Sequence, residues 1–145
     1  MLKRPLVLVL VICLLGMAVS AVVYWRGQDR AAALLTAGLD VGALQRLAER
    51  GETFVVYFYG RSCEDCAASE PHLLAALRQL REEGRWPPGL PVYKCEREAN
   101  ATVRGLYGVE HTPTLIYFCA GAESARLEGP RDDAAAYRAF FSGLE

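Results

Sequence analysis

The sequence is poor in the residues that most often hold metals. It has two histidines, two methionines and five cysteines among 145 residues. Five unevenly spaced cysteines are too few for the dense disulfide framework of a small secreted scaffold. The single CxxC supplies two ligands, and no second CxxC or paired histidine completes the four that a structural zinc requires. No metal and no cofactor is therefore expected. Basic runs are also missing. Lys and Arg total 16 against 17 Asp and Glu, a net charge of −1, and leaving out Lys3 and Arg4 brings the remainder near −3. Without a basic patch, nucleic acid is excluded as an expected partner. There is no internal repeat and no low-complexity tract. The length suits one domain with a sizeable core.

The N-terminus is of a different kind. Lys3 and Arg4 precede an uncharged stretch from Leu6 to Trp25, long enough for a helix to cross a bilayer. Tyr24 and Trp25 end it with rings that favour the membrane–water interface. The leading charges orient the N-terminus towards the cytoplasm, against a weaker opposing pull from Arg26 and Arg30. Residues 1–25 are thus expected to be a signal-anchor, with a cleaved signal peptide as the alternative, because Ala18-Val19-Ser20 and Val19-Ser20-Ala21 offer small residues at cleavage spacing. Either way the domain is exported. It is expected on the extracytoplasmic side of the cell membrane as a single-pass protein, or secreted or periplasmic after cleavage. Cys13 reads as an apolar residue of this span. Residues 26–38 read as a tether and 39–145 as the domain.

Within the domain, Asp40 is a plausible cap for a helix whose Val41, Leu44 and Leu47 repeat at helical spacing. Thr53 to Tyr59 is a continuous β-branched and aromatic run, the mark of a strand buried on both faces. A helix is expected from Cys63 to about Glu83, with Leu73, Leu77 and Leu80 inward and Leu74 beside them. Pro87 and Pro88 stop any helix in the loop that follows. Leu90 to Cys95 and Thr114 to Phe118 read as strands, with a short helix between them capped by Asn100 and ending near Gly108. Ala120 to Glu123 reads as a turn and Ser124 to Leu127 as the returning strand. Asp132 or Asp133 starts a last helix with Tyr137, Phe140, Phe141 and Leu144 on one stripe. The order predicts an α/β fold: a mixed sheet, half parallel and half antiparallel, with helices on both faces.

The chemistry centres on Cys63-Glu64-Asp65-Cys66. A cysteine exchanges disulfides only as a thiolate. Cys63 follows a buried strand and opens a helix, where free amides and the positive helix end favour an anion. Cys66 lies about one turn on, so the two sulfurs can close a ring. Cys63, at the junction, is the exposed nucleophile; Cys66, beneath the first turn, resolves the mixed disulfide. A redox-active Cys63–Cys66 disulfide acting on protein thiols and disulfides is the expected function.

With these residues the sequence resembles the thioredoxin superfamily from about Asp40 to the C-terminus. Phe54-Val55-Val56-Tyr57-Phe58-Tyr59 leading into the CxxC is similar to the family's active-site strand. Pro71 matches its helix-kinking proline and Lys94 the lysine at the end of the next strand. Thr112-Pro113-Thr114 matches its cis-proline signature, with Gly108-Val109 before it. Gly121 and Gly129 match the hairpin glycine and the glycine before the last helix. The resemblance implies that Thr112 and Pro113 bind the substrate backbone beside the cysteines, and that the sheet has four to five strands, because the family's first strand is not evident here. Tyr57-Phe58-Tyr59-Gly60-Arg61 and Glu70-Pro71 also resemble membrane-anchored bacterial thioredoxin-like proteins, among them bacteriocin-transport accessory proteins. One departure matters. The strand position where the family often keeps a buried acid is Tyr57, so the proton acceptor for Cys66 is missing or replaced. Glu70, one turn after Cys66, is the candidate replacement, although a charged helix residue ordinarily faces water.

Other residues are candidate modulators. Glu64 and Asp65 oppose a thiolate at Cys63 and so favour a reductant or isomerase-supporting role over a strong oxidant, while Arg61 works the other way. Lys94 ends its strand near the site. His111, before Thr112, is a candidate to tune the thiolate or touch substrate, against the reading of a plain surface residue; His72 reads as structural or solvated. Cys95 and Cys119 are expected at opposite ends of the sheet, beyond disulfide reach, as small core residues. A regulatory thiol at Cys95 is the alternative. Two other function classes remain open: a thioredoxin-fold binding or assembly factor with auxiliary cysteines, and copper handling aided by His111. A redox partner is expected, and the membrane is a partner only through the N-terminal helix.

Overall fold

The computed structural model describes residues 12–22, 35–36, 38–98 and 102–144. The chain divides into two units, Met1–Ala33 and Leu34–Glu145. In the first, residues 12–22 are helical with exposed side chains. The remainder of the apolar stretch from Leu6 to Trp25, most of the tether and the Asn100 cap lie outside the described residues. No helix among the described residues is long and apolar enough to cross a membrane.

In the second unit, Asp40 caps helix α1 (Val41–Glu49), its carboxylate accepting from the Ala43 amide at 2.7 Å. Strand β1 (Phe54–Tyr59), helix α2 (Glu64–Glu82), strand β2 (Val92–Glu96), helix α3 (Thr102–Tyr107), strands β3 (Thr114–Cys119) and β4 (Ala122–Glu128) and helix α4 (Ala134–Ser142) follow. The sheet runs β2-β1-β3-β4. β1 is parallel to β2, with Tyr57 opposite Lys94, and antiparallel to β3. The sheet therefore has four strands. Beyond β2, Thr36 makes one parallel bridge to Tyr93. Its amide donates to the Val92 carbonyl, its carbonyl accepts from the Lys94 amide, and the Leu39 amide donates to the Lys94 carbonyl at 2.7 Å.

The continuous apolar run of β1 is explained by its central place. Val55 and Tyr57 face one layer, with Leu73, Leu77 and Leu80 of α2 and Tyr137 and Phe141 of α4. Phe54, Val56 and Phe58 face the other, with Leu44 and Leu47 of α1, Cys95, Val103 and Phe118. Each fully buried leucine contributes roughly 1.5–3 kcal/mol. Leu74, Phe140 and Leu144 pack at the margin of the first layer.

Three boundaries differ from the sequence reading. The hairpin turn is shorter: Ala122 and Glu123 belong to β4, and only Ala120 and Gly121, both at positive φ, make the turn. A two-residue loop with both residues at positive φ matches the twist of its strands. Gly121 also docks on the loop after α1, its amide donating to the Glu52 carbonyl at 2.9 Å. Secondly, β2 begins at Val92, because the Leu90 amide is drawn back to the Pro87 carbonyl. Thirdly, β3 runs on to Cys119.

Candidate active site

The β1–α2 loop is built for close approach. A Cβ on Gly60 would lie 2.5 Å from Glu98 Oε1 and 3.1 Å from the Cys63 Cβ. The Glu98 carboxylate accepts from the Arg61 amide at 3.3 Å, and the Arg61 guanidinium pairs with Glu96 at 2.9 Å. Both acids come from β2 and the turn after it. Arg61 is thus engaged away from the cysteines, and its pairing with Glu96 raises its already high pKa.

Cys63 is the N-cap of α2. Its Sγ accepts from the Cys66 amide at 3.1 Å and from the Thr112 hydroxyl at 3.4 Å. The Thr112 carbonyl oxygen lies 3.5 Å from the same sulfur, a contact that becomes a hydrogen bond only when the sulfur carries a proton. Cys63 and Cys66 form a disulfide with Cα atoms 5.2 Å apart. Cys63 is half-buried, whereas Cys66 is 3 % exposed. The Thr112–Pro113 peptide bond is cis, and Pro113 is buried at the foot of β3. The Pro113 carbonyl accepts from the Gly129 amide at 2.9 Å. Beside the pair runs a cleft lined by Asp65, Arg97, Glu110, His111, Thr112 and Glu128. His111 is exposed there. Arg104, hydrogen-bonded at 2.5 Å, holds the Glu110 carboxyl below its ordinary range. Glu64 and Asp65 are exposed in the first turn of α2.

Glu70 corrects the expectation of a solvated face residue. It receives both oxygens' worth of contact from Lys94 Nζ, at 2.8 and 2.9 Å, and its side chain is 29 % exposed. Lys94 reaches it from β2 and lies 4.5 Å from the centre of the Tyr59 ring and 5.9 Å from that of Tyr57. The Tyr57 hydroxyl donates to the Cys66 carbonyl at 3.5 Å. Burial, reinforced by the Glu70 charge, pushes the Tyr57 phenol well above its ordinary value. Helical spacing alone could not show this pairing, since it requires knowing that β2 lies beneath α2. Glu96, Glu98 and Arg97 carried no sequence signal either. His72 is half-buried on α2.

The remaining thiols stand apart. Cys95 pairs with Phe58 at the far end of β1, and Phe118, before Cys119, pairs with Phe54 at its start. The two cysteines are at opposite ends of the sheet. Cys95 is fully buried, and desolvation pushes its thiol up to about 11, so it is protonated and inert near neutrality. This does not fit the regulatory alternative. Among the described residues no three His, Cys, Asp or Glu side chains converge as metal ligands.

The thioredoxin family model matches residues 44–140. Chicken (Gallus gallus) protein disulfide-isomerase A3 is 34% identical over 85 residues, which cover 59% of this chain and 16% of that protein. The chain thus aligns with a small part of this much longer relative. Among solved structures, mitochondrial thioredoxin 3 of Saccharomyces cerevisiae in its oxidised form superposes with a TM-score of 0.60 at 18% identity, covering 79% of this chain and 99% of that one. A mutant thioredoxin of Halobacterium salinarum gives 0.56 at 20% identity, covering 77% and 93%. At these identities the superpositions speak for the fold alone. The chain belongs to the thioredoxin family, and Cys63 and Cys66 form a disulfide at the start of α2.

Proposed function

We propose that the chain reduces or exchanges disulfides in exported proteins, with Cys63 attacking and Cys66 resolving. The observation that carries this reading is the asymmetry of the pair: a half-buried sulfur capping a helix, joined to one that is 3 % exposed. In the reduced protein, the Cys66 amide and the Thr112 hydroxyl are positioned to stabilise a Cys63 thiolate, and the helix end adds to them. The thiolate attacks a substrate disulfide, releases one substrate sulfur and holds the other as a mixed disulfide. Cys66 then attacks Cys63 Sγ, closes the ring and releases the second substrate thiolate. Thr112 and Pro113 flank Cys63 and offer backbone to an extended substrate segment, while Glu64, Asp65, Lys94 and His111 modulate charge around it. Glu64 and Asp65 disfavour the thiolate, so the pair acts as a reductant or supports isomerisation.

Export rests on Lys3, Arg4 and the apolar stretch from Leu6 to Trp25. In this reading residues 1–25 anchor the protein or are cleaved, 26–38 tether it, and 39–145 work outside the cytoplasm.

Reduction of a protein disulfide substrate by wild type and by Cys63→Ser tests the reading. Wild type turns over and Cys63→Ser does not, while Cys66→Ser accumulates a covalent mixed disulfide. Turnover by Cys63→Ser at the wild-type rate would refute it.

A further inference from the structure

Resolution requires that Cys66 lose a proton, yet Cys66 is 3 % exposed and sits under the first turn of α2. Solvent does not reach it readily, so a protein group must receive that proton. Polar groups of the sheet and of α4 near Cys66 are occupied or protonated. From β1, Tyr57 donates its hydroxyl to the Cys66 carbonyl, and its environment holds the proton on the phenol. Tyr59 presents its ring to Lys94. From β2, Lys94 is a cation with donors and no acceptor. From α4, Tyr137 is buried, and its phenol is likewise pushed up by burial. Arg131, before α4, donates its amide to the Ser69 hydroxyl. Glu70 remains. It stands four residues after Cys66 on the same helix, where i and i+4 side chains are neighbours about 5–6 Å apart at Cβ. Lys94 holds its carboxylate through both oxygens, and the side chain is 29 % exposed.

We propose that Glu70 is the proton acceptor for Cys66, with Lys94 as the positioning residue that holds it. The inference rests on the exchange reading above and names a residue for its second step. The Glu70 carboxylate takes the proton from the Cys66 thiol. The Cys66 electron pair forms the bond to Cys63 Sγ, the bond from Cys63 to the substrate sulfur breaks, and the substrate leaves as a thiolate. Cys63 and Cys66 end oxidised, the substrate disulfide is reduced, and the proton on Glu70 returns to solvent or to the departing thiolate. The acid that serves the resolving sulfur thus comes from the helix that carries the sulfur, and its counter-charge comes from the sheet.

Single-turnover reduction of an aromatic disulfide, followed by its released thiolate, separates attack from resolution. In Glu70→Gln the ratio of the second rate to the first falls about a hundredfold near neutral pH, the size of a lost general base. The wild-type resolution rate is flat with pH where the carboxylate is ionised and the thiol is not. In Glu70→Gln it rises about tenfold per pH unit, because hydroxide takes over. Formate restores resolution in Glu70→Ala and chloride does not, a readout that a merely structural role would not move. Lys94→Met gives an intermediate loss. An unchanged rate ratio and a flat profile in Glu70→Gln, or no formate rescue in Glu70→Ala, would overturn the assignment. Wild type that never forms the mixed disulfide would instead refute the exchange reading.

Discussion

Removing the Thr112 hydroxyl tests how the Cys63 thiolate is held. Two donors reach its sulfur, the Cys66 amide at 3.1 Å and the Thr112 hydroxyl at 3.4 Å. Thr112→Val keeps the shape and removes the second donor alone. A hydrogen bond to a charged group contributes about 1.5–3 kcal/mol. The length of this one and the half-exposed sulfur reduce that to about 1 kcal/mol. That is about a fivefold loss of thiolate at fixed pH, since 1.4 kcal/mol is about tenfold. The remaining thiolate is more basic and more nucleophilic, with a Brønsted slope of about 0.4–0.5. The net slowing of attack near neutral pH is therefore about two- to threefold. The assay is iodoacetamide alkylation against pH for the reduced protein in a Cys66→Ser background. The Thr112→Val curve slides to higher pH, and Thr112→Ser stays with wild type. Superposition of the Thr112→Val and wild-type curves would show that the hydroxyl does not act on the thiolate.

Two further perturbations probe the scaffold. Gly121 sits at φ 81°, and a Cβ there would overlap the Ala48 carbonyl oxygen. Gly121→Ala therefore destabilises the fold by about 2–5 kcal/mol, from left-handed strain plus overpacking, read as a lowered urea midpoint. Cys95 gives a pH dependence. Its thiol rises from 9.0 to about 11 on folding, so between these values the folded state binds more protons than the unfolded state and stability falls as pH rises. The contribution is fully present below the unfolded value and lost through about 11, at most about 3 kcal/mol. Cys95→Val flattens that alkaline limb in urea unfolding across the same window; an unaltered limb would assign it to other groups.

Much of this was legible in the sequence because apolar patterning reports burial directly. The run from Phe54 to Phe58 marked the central strand, and Leu73, Leu77 and Leu80 marked the face of α2 that meets the sheet. The cysteine pair was legible because helix capping is local: Cys63 needs only its own chain neighbours to become an N-cap. What escaped was non-local and polar. Glu70 was legible as a candidate acceptor, but its pairing with Lys94 was not, because it depends on β2 packing against α2. Glu96 and Glu98 reach the loop before Cys63 across more than thirty residues of sequence. Arg126 closes α3 by donating to the Tyr107 and Gly108 carbonyls at 2.6 and 3.1 Å, which no spacing rule foretells. The shortened hairpin turn escaped for a different reason: Ala120 adopts positive φ, and alanine gives no warning of it.

The stitching of Thr36 and Leu39 onto β2 has a mechanical consequence. A pull on the chain from its N-terminal side meets the buried Leu35 and then Thr36. There it meets the bonds to Val92 and Lys94 and, after them, the Leu39 bond to Lys94. Because this segment runs parallel to β2, a pull along the strand strains those bonds together instead of peeling them singly. Lys94 is the residue that both this seam and Glu70 depend on. The strand that anchors the leading segment is therefore also the strand whose lysine pairs with Glu70, so tension and the charge near the thiols share one strand.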